Sequence, residues 1–196
     1  MKKLVLGCLL STAVALPTFA ALNQGDAVTP FKAKASLAGK AFDYSLADAL
    51  KKGPVVVYFY PAAFTPGCNI QAHTFAENMD KFNAAGATVI GVSLDSIDRL
   101  NDFSSDPQYC AGKLAVASDA DGAIAKSFKL NVGDARPNMK DSRGVEFSHG
   151  FAERTTFIVT PDGKVAATVG GNSVRPDENV NQSLAAVQAL QHAGHH

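Results

Sequence analysis

Two short apolar runs bracket an amphipathic stretch in the first half of the chain, and that arrangement leaves few folds open. Val55 to Tyr60 is continuous, β-branched and aromatic, and Ala87 to Leu94 has the same character. A strand with one wet face alternates in polarity, so runs without alternation suit strands buried on both faces. Between them, Ala72, Phe75, Met79 and Phe82 follow Cys68 at intervals of four, three, four and three residues, a helical stripe ending near Gly86. Strand, helix and strand make a βαβ unit, which predicts a parallel pair joined by a right-handed crossover.

The flanking sequence extends this unit. Phe31 to Ala35 and Lys40 to Tyr44 read as a leading hairpin. Ser96 and Asp98 are placed to cap a helix carrying Ile97, Leu100 and Phe103, and Leu114 to Ala117 is a short strand. Asp119 to Gly122 turns into a helix that holds Ile124, Ala125 and Phe128. Residues 129–150 are polar and contain Gly and Pro, the composition of a long surface loop with a little strand. Thr155 to Thr160 and Lys164 to Val169 flank Pro161-Asp162-Gly163, a hairpin signal. A closing helix from about Glu178 to Gln191 aligns Val180, Leu184, Val187 and Leu190. The sum is an α/β chain in the thioredoxin-like pattern: a central mixed β-sheet flanked by helices, with the hairpin in front.

The N-terminus calls for separate treatment. Met1-Lys2-Lys3, the apolar run Leu4 to Leu16, Pro17 and the small-residue site Thr18 to Ala21 read as a secretory signal peptide over residues 1–20, cleaved after Ala20 or Ala21. Leu4 to Leu22 is nearly long enough to span a bilayer, but Pro17 and the small residues favour cleavage over a retained anchor. The expected product, residues 21–196, is one domain in the periplasm or outside the cell, without stable membrane association. Loss of Lys2 and Lys3 leaves 16 basic residues against 18 acidic, a formal charge of −2. No basic block is available to neutralise a row of phosphates, which argues against nucleic acid. His192, His195 and His196 read as a polar tail rather than a metal site, and no cofactor is expected. With Cys8 lost in the leader, Cys68 and Cys110 remain, enough for one disulfide in an oxidising compartment. A static structural bridge is one possibility.

Cys68 stands where the first buried strand breaks at a Pro/Gly-rich turn and the helix begins. Unpaired backbone NH groups and the positive end of the helix dipole favour the thiolate there. Pro61-Ala-Ala-Phe-Thr65-Pro-Gly-Cys68 resembles the Pro-x-x-x-Thr-x-x-Cys signature of peroxiredoxins, and Tyr-Phe-Tyr-Pro with Thr-Pro-Gly-Cys is similar to the peroxiredoxin Q, or bacterioferritin comigratory protein, branch. Glu153-Arg154-Thr-Thr-Phe-Ile-Val-Thr-Pro-Asp-Gly resembles the family segment in which the active-site arginine precedes a strand and hairpin. The resemblance implies a thiol-dependent peroxidase acting on hydrogen peroxide and organic hydroperoxides. Cys68 is then the nucleophile, with Thr65 accepting from the peroxide and donating to sulfur. Arg154 holds sulfur and peroxide oxygen together, the Gly67 and Cys68 amides face the developing charge, and Pro61 keeps water off the sulfur.

The chain departs from that branch at one position. Many of its members carry a second cysteine five residues after the first, and here that residue is His73. Cys110, 42 residues on, is therefore the expected resolving thiol, forming an intramolecular disulfide that a thioredoxin-like or other dithiol reduces. A one-cysteine cycle recycled by an external thiol is the alternative. The chain is expected to be a monomer or weak dimer. Two rival functions have sequence tests. A thioredoxin-type oxidoreductase wants Cys-x-x-Cys, and Gln71 occupies the second position. A copper-binding protein of the cell envelope would want paired soft ligands, and Ala72 stands four residues on.

Overall fold

The computed structural model describes residues 21–170 and 174–193. The leader read at residues 1–20 lies outside these, as do His195 and His196. The elements run β1 (Lys32–Leu37), β2 (Lys40–Ser45), α1 (Leu46–Leu50), β3 (Val55–Phe59), α2 (Pro66–Ala84), β4 (Thr88–Ser93), α3 (Ile97–Ser105), β5 (Ala115–Ser118), α4 (Ala123–Ser127), β6 (Val132–Gly133), β7 (Phe151–Ala152), β8 (Thr155–Val159), β9 (Val165–Gly170) and α5 (Pro176–Ala193).

Seven strands form one mixed sheet in the order β2-β1-β5-β4-β3-β8-β9. β3 and β4 are parallel, from Val55 beside Thr88 to Phe59 beside Val92, as the βαβ reading predicts. β5 adds a further parallel strand to β4, while β8 runs antiparallel on the other side of β3. Every residue of β3 is buried, and its side chains divide by parity. Val56 and Tyr58 enter a core with Phe75, Phe82, Leu100, Phe103, Val180 and Val187, from α2, α3 and α5. Val55, Val57 and Phe59 enter a second core with Leu46, Leu50, Ala125 and Phe128, from α1, α4 and its end. Period-two alternation thus feeds two cores on opposite faces, and this is why the run is unbroken in sequence.

The leading hairpin turns through Ala38 and Gly39, both at positive φ (51° and 78°), the requirement of a two-residue primed turn. It forms one margin of the main sheet, since β1 pairs antiparallel with β5. The Gly39 amide donates to Ser104 Oγ at 2.9 Å, pinning the turn to α3. The turn at Pro161-Asp162-Gly163 joins β8 to β9, with Gly163 at φ 76°. Two elements differ from the sequence reading. α1 spans five residues, too short for a periodic signal, and is capped by Ser45. Residues 129–150 carry a little strand as expected, β6 paired with β7, but they are not only surface, since Asp141 and Phe147 are buried.

The described chain is gripped from its first residues. The Leu22 amide donates to Phe128 O at 3.2 Å, its carbonyl accepts from Thr168 Oγ1 at 2.7 Å, and its side chain is buried. Among the described residues no helix is long and apolar enough to cross a membrane.

Candidate active site

Thr65 is the N-cap of α2, Pro66 fills the first helical position, and Gly67 and Cys68 complete the first turn. Proline suits that place because the amide it lacks would have had no intrahelical partner. The first bond of the helix runs from Asn69 N to Thr65 O at 2.8 Å, so the Gly67 and Cys68 amides precede the ladder. An anion at such an end gains about 0.3–1 kcal/mol from the dipole, and up to about 2 kcal/mol when partly buried. Cys68 is buried, with 2% of its surface exposed.

Arg154, between β7 and β8, reaches this sulfur across 86 residues of sequence: Nη2 donates to Cys68 Sγ at 3.3 Å. Its other terminal nitrogen donates to Gln71 Oε1. Gln71 in turn donates to Asn179 Oδ1 at 3.0 Å, Thr156 Oγ1 donates to the same oxygen at 2.7 Å, and Asn179 Nδ2 donates to Val169 O at 3.2 Å. Gln71, Thr156 and Asn179 are fully buried. A buried polar chain of this kind is stable only when each member is satisfied, and it fixes the guanidinium plane. Sequence reasoning noticed Gln71 only as a missing cysteine. The signal available was a glutamine on the buried stripe of α2, beside Ala72 and Phe75.

The loop from Pro61 to Thr65 is held from outside. Ala63 N donates to Asp95 Oδ2 at 2.7 Å, and Arg99 Nη2 donates to Ala63 O at 3.1 Å. The Ser142 amide and hydroxyl both donate to Phe64 O, at 2.9 and 2.8 Å. Phe64 has a φ of 62°, a left-handed conformation that costs a bulky residue about 1–3 kcal/mol and persists where surroundings enforce it. The Arg143 guanidinium lies 3.3 Å from the Phe64 ring centroid. Thr65 differs from expectation: its hydroxyl donates to Ala62 O at 2.9 Å rather than to sulfur, which leaves its lone pairs as the group available to a peroxide proton. Pro61, at the end of β3, is half-buried.

Cys110 is fully buried in the turn that follows α3, and both cysteines are free thiols. Burial, with a smaller push from Asp106, drives the Cys110 thiol far above its ordinary pKa. The next two residues, Ala111 and Gly112, are both left-handed (φ 53° and 68°). Phe64, Phe103 and Tyr109 form a three-ring cluster with centroids 5.1–5.7 Å apart, linking the Cys68 loop to the Cys110 turn. The Tyr58 hydroxyl is buried without a partner among the described residues, and burial first, then Cys110 and Cys68, raise its pKa. His73, by contrast, is exposed on α2 and faces Glu77 at 3.3 Å. Among the described residues no three His, Cys, Asp or Glu side chains are grouped to hold a metal.

Residues 24–168 match the AhpC/TSA family. The chloroplastic peroxiredoxin Q of Sedum lineare is 30% identical over 177 residues, covering 88% of this chain and 81% of that protein. Peroxiredoxin Bcp of Escherichia coli (strain K12) is 32% identical over 111 residues, 57% of this chain and 64% of that one. In three dimensions, peroxidoxin BcpB from Mycobacterium tuberculosis superposes with a TM-score of 0.70 at 27% identity, over 86% of this chain and 98% of that one. The bacterioferritin comigratory protein of Xanthomonas campestris, solved in trapped intermediate and ligand complexes that bear on its alkyl peroxide reduction activity, gives 0.62 at 28% identity, over 81% and 91%.

Proposed function

The chain belongs to the AhpC/TSA family and is a peroxiredoxin, a thiol-dependent peroxidase, and we propose that its chemistry runs through Cys68. The observation that carries this reading is the Arg154 Nη2 donor 3.3 Å from Cys68 Sγ at the first turn of α2. A thiolate there attacks one oxygen of a hydroperoxide in line. The O–O bond breaks, sulfur is oxidised to the sulfenic acid, and the departing oxygen takes a proton to leave as water or an alcohol. Charge builds on that oxygen. Arg154 and the Gly67 and Cys68 amides are the donors able to meet it, while Thr65 Oγ1 accepts the peroxide proton. Hydrogen peroxide and organic hydroperoxides are the proposed substrates, in line with the alkyl peroxide activity of the Xanthomonas relative.

Cys110 is the proposed resolving thiol. Its sulfur attacks Sγ of the Cys68 sulfenic acid, an S–S bond forms, water leaves, and an external dithiol reduces the disulfide. Bond formation needs the two Cα atoms within about 7 Å and a thiolate attacker, so the buried Cys110 turn and the first turn of α2 both open. Opening the turn breaks the bonds from the Ala111 amide to Asp106 O and from the Gly112 amide to Ser104 O, both 2.9 Å. The complete burial of Cys110 favours a second reading, a one-cysteine cycle. Stopped-flow peroxide consumption by wild type, Cys68→Ser and Cys110→Ser, followed by non-reducing mass spectrometry, decides between them. Cys68→Ser should abolish turnover; Cys110→Ser should keep the first oxidation and lose recycling by dithiols. A lasting sulfenic acid in wild type overturns the two-cysteine cycle.

Export of a monomer or weak dimer cleaved after Ala20 or Ala21 completes the proposal. Capture of Leu22 by Phe128 and Thr168 supports a mature chain beginning just before it. N-terminal sequencing of protein from the envelope fraction tests the cut.

A further inference from the structure

His149 sits between two acceptors. Its Nδ1 is 2.7 Å from Gly150 O and its Nε2 is 3.0 Å from Asp95 Oδ1. A carbonyl cannot donate, and an ionised carboxylate cannot either, so both ring nitrogens must carry protons for both contacts to be hydrogen bonds. This is the imidazolium. Its side chain is 11% exposed, and the Asp95 side chain not at all. The rings of Phe147 and Phe151 flank it, with centroids 5.5 and 5.7 Å away.

Asp95 distributes that charge. Oδ1 accepts from His149 and from Arg99 Nε at 2.9 Å, while Oδ2 accepts from Ser93 Oγ and from the Ala63 amide, both at 2.7 Å. Arg99, from α3, also pairs with Asp141 Oδ2 at 3.0 Å, and Arg143 joins Asp141 at 3.1 Å. The charged groups of this cluster are thus Asp95 from the β4–α3 link, Arg99 from α3, and Asp141, Arg143 and His149 from the segment before β7. On the far side of Asp95 lies Ala63, next to the left-handed Phe64 and two residues from Thr65, which caps the Cys68 helix.

We infer that His149, as an imidazolium, is a positioning residue for the peroxidase reaction, acting through Asp95 and the Ala63 amide on the loop that leads into Cys68. The inference rests on the reading of Cys68 as the peroxide-reducing thiol. When His149 titrates, it gives up the Nδ1 proton that faces Gly150 O, because the carboxylate holds the Nε2 proton more tightly, and Asp95 Oδ1 loses the positive charge behind one of its two donors. Asp95 then shifts toward Arg99, and the Ala63 anchor of a strained loop weakens. Titration acts in the right range: burial pulls the His149 pKa down, but the hydrogen bonds to Asp95 and Gly150 and the Asp95 charge outweigh it against opposition from Arg99, leaving it above 6.5. Asp95 mirrors this. Burial raises its pKa, and hydrogen bonds from His149, Ala63 and Ser93 with the His149 charge bring it below 3.8.

Two measurements test the inference. In wild-type protein, the His149 ring and the Ala63 backbone amide are followed by NMR from pH 5 to 10. A shared midpoint above 6.5 is expected, and the absence of a shared midpoint, or one below 6.5, overturns the inference whatever the enzyme does. In stopped flow, the rate constant for Cys68 oxidation should fall about tenfold across an alkaline limb with that midpoint. His149→Gln, neutral at every pH, should lack the limb. An unchanged limb in the variant overturns the inference, and if the variant does not fold, the wild-type NMR result decides alone. A Cys68→Ser protein that still consumes peroxide would sink the catalytic reading while leaving the Ala63 titration to be read by itself.

Discussion

Gly67 makes room for Arg154. A β-carbon at Gly67 would stand 3.2 Å from Arg154 Nη2 and 3.5 Å from Pro176 Cγ, so the guanidinium reaches the sulfur over a residue without a side chain.

Gly67→Ala therefore separates stability from activity. Gly67 is helical, so alanine restricts the unfolded chain and should raise stability by about 0.4–1 kcal/mol. The same methyl pushes Nη2, the nitrogen that donates to Cys68 Sγ, a few tenths of an ångström off line on a guanidinium whose Nη1 is held by Gln71, and the first oxidation should slow about three- to tenfold. Thermal denaturation and stopped flow on one preparation show whether the two move in opposite directions.

Gln71→Leu removes the joint between α2, Arg154 and α5. One Arg154 nitrogen loses its acceptor, and the buried Asn179 loses one donor, at a cost of about 1–3 kcal/mol in urea denaturation. With the guanidinium no longer oriented, the second-order rate with peroxide should drop about ten- to a hundredfold. A variant with wild-type kinetics would show that Arg154 is positioned by something else.

Gly91→Ala tests the sheet beneath the site. Its β-carbon would come within 2.6 Å of the Tyr58 ring, which stacks on Phe75 at 4.5 Å and on Tyr60 at 5.3 Å and has no space to retreat. Overpacking of this kind costs about 1–3 kcal/mol. The expected result is a lower urea midpoint with an unchanged slope.

Stability should peak on the acidic side of neutrality. His149 has a folded-state pKa raised above 6.5, so its contribution is complete below 6.5 and is lost as pH climbs through the raised value. Asp95 is lowered below 3.8, so its contribution is complete above that value and is lost as pH falls through the folded pKa. Urea midpoints from pH 3 to 9 should decline on both flanks, and His149→Gln should remove most of the alkaline decline. A flat alkaline flank in wild type contradicts the assignment.

The frame of the protein was legible because it is written in local patterns. β3, α2 and β4 follow from uninterrupted or periodic apolar residues, and Cys68, Thr65 and Pro61 share one short motif. Arg154 was found only through family likeness, since nothing local sets it apart from a surface arginine. The supports of the site stayed hidden for a physical reason. Gln71 meets Asn179 across 108 residues and His149 meets Asp95 across 54, and such polar pairs have no period to betray them. Residues 129–150 looked like solvent-facing loop because they are polar, yet Asp141 and His149 use that polarity inward, to hold Arg99 and Asp95.

The depth of Cys110 sets a race. Under the two-cysteine cycle, the sulfenic acid on Cys68 survives until a sealed turn opens, and each moment of delay offers it to another hydroperoxide molecule and irreversible sulfinic damage. Tolerance of an oxidant burst is then governed by how fast the Tyr109 to Gly112 corner unlatches, a property of packing rather than of sulfur chemistry.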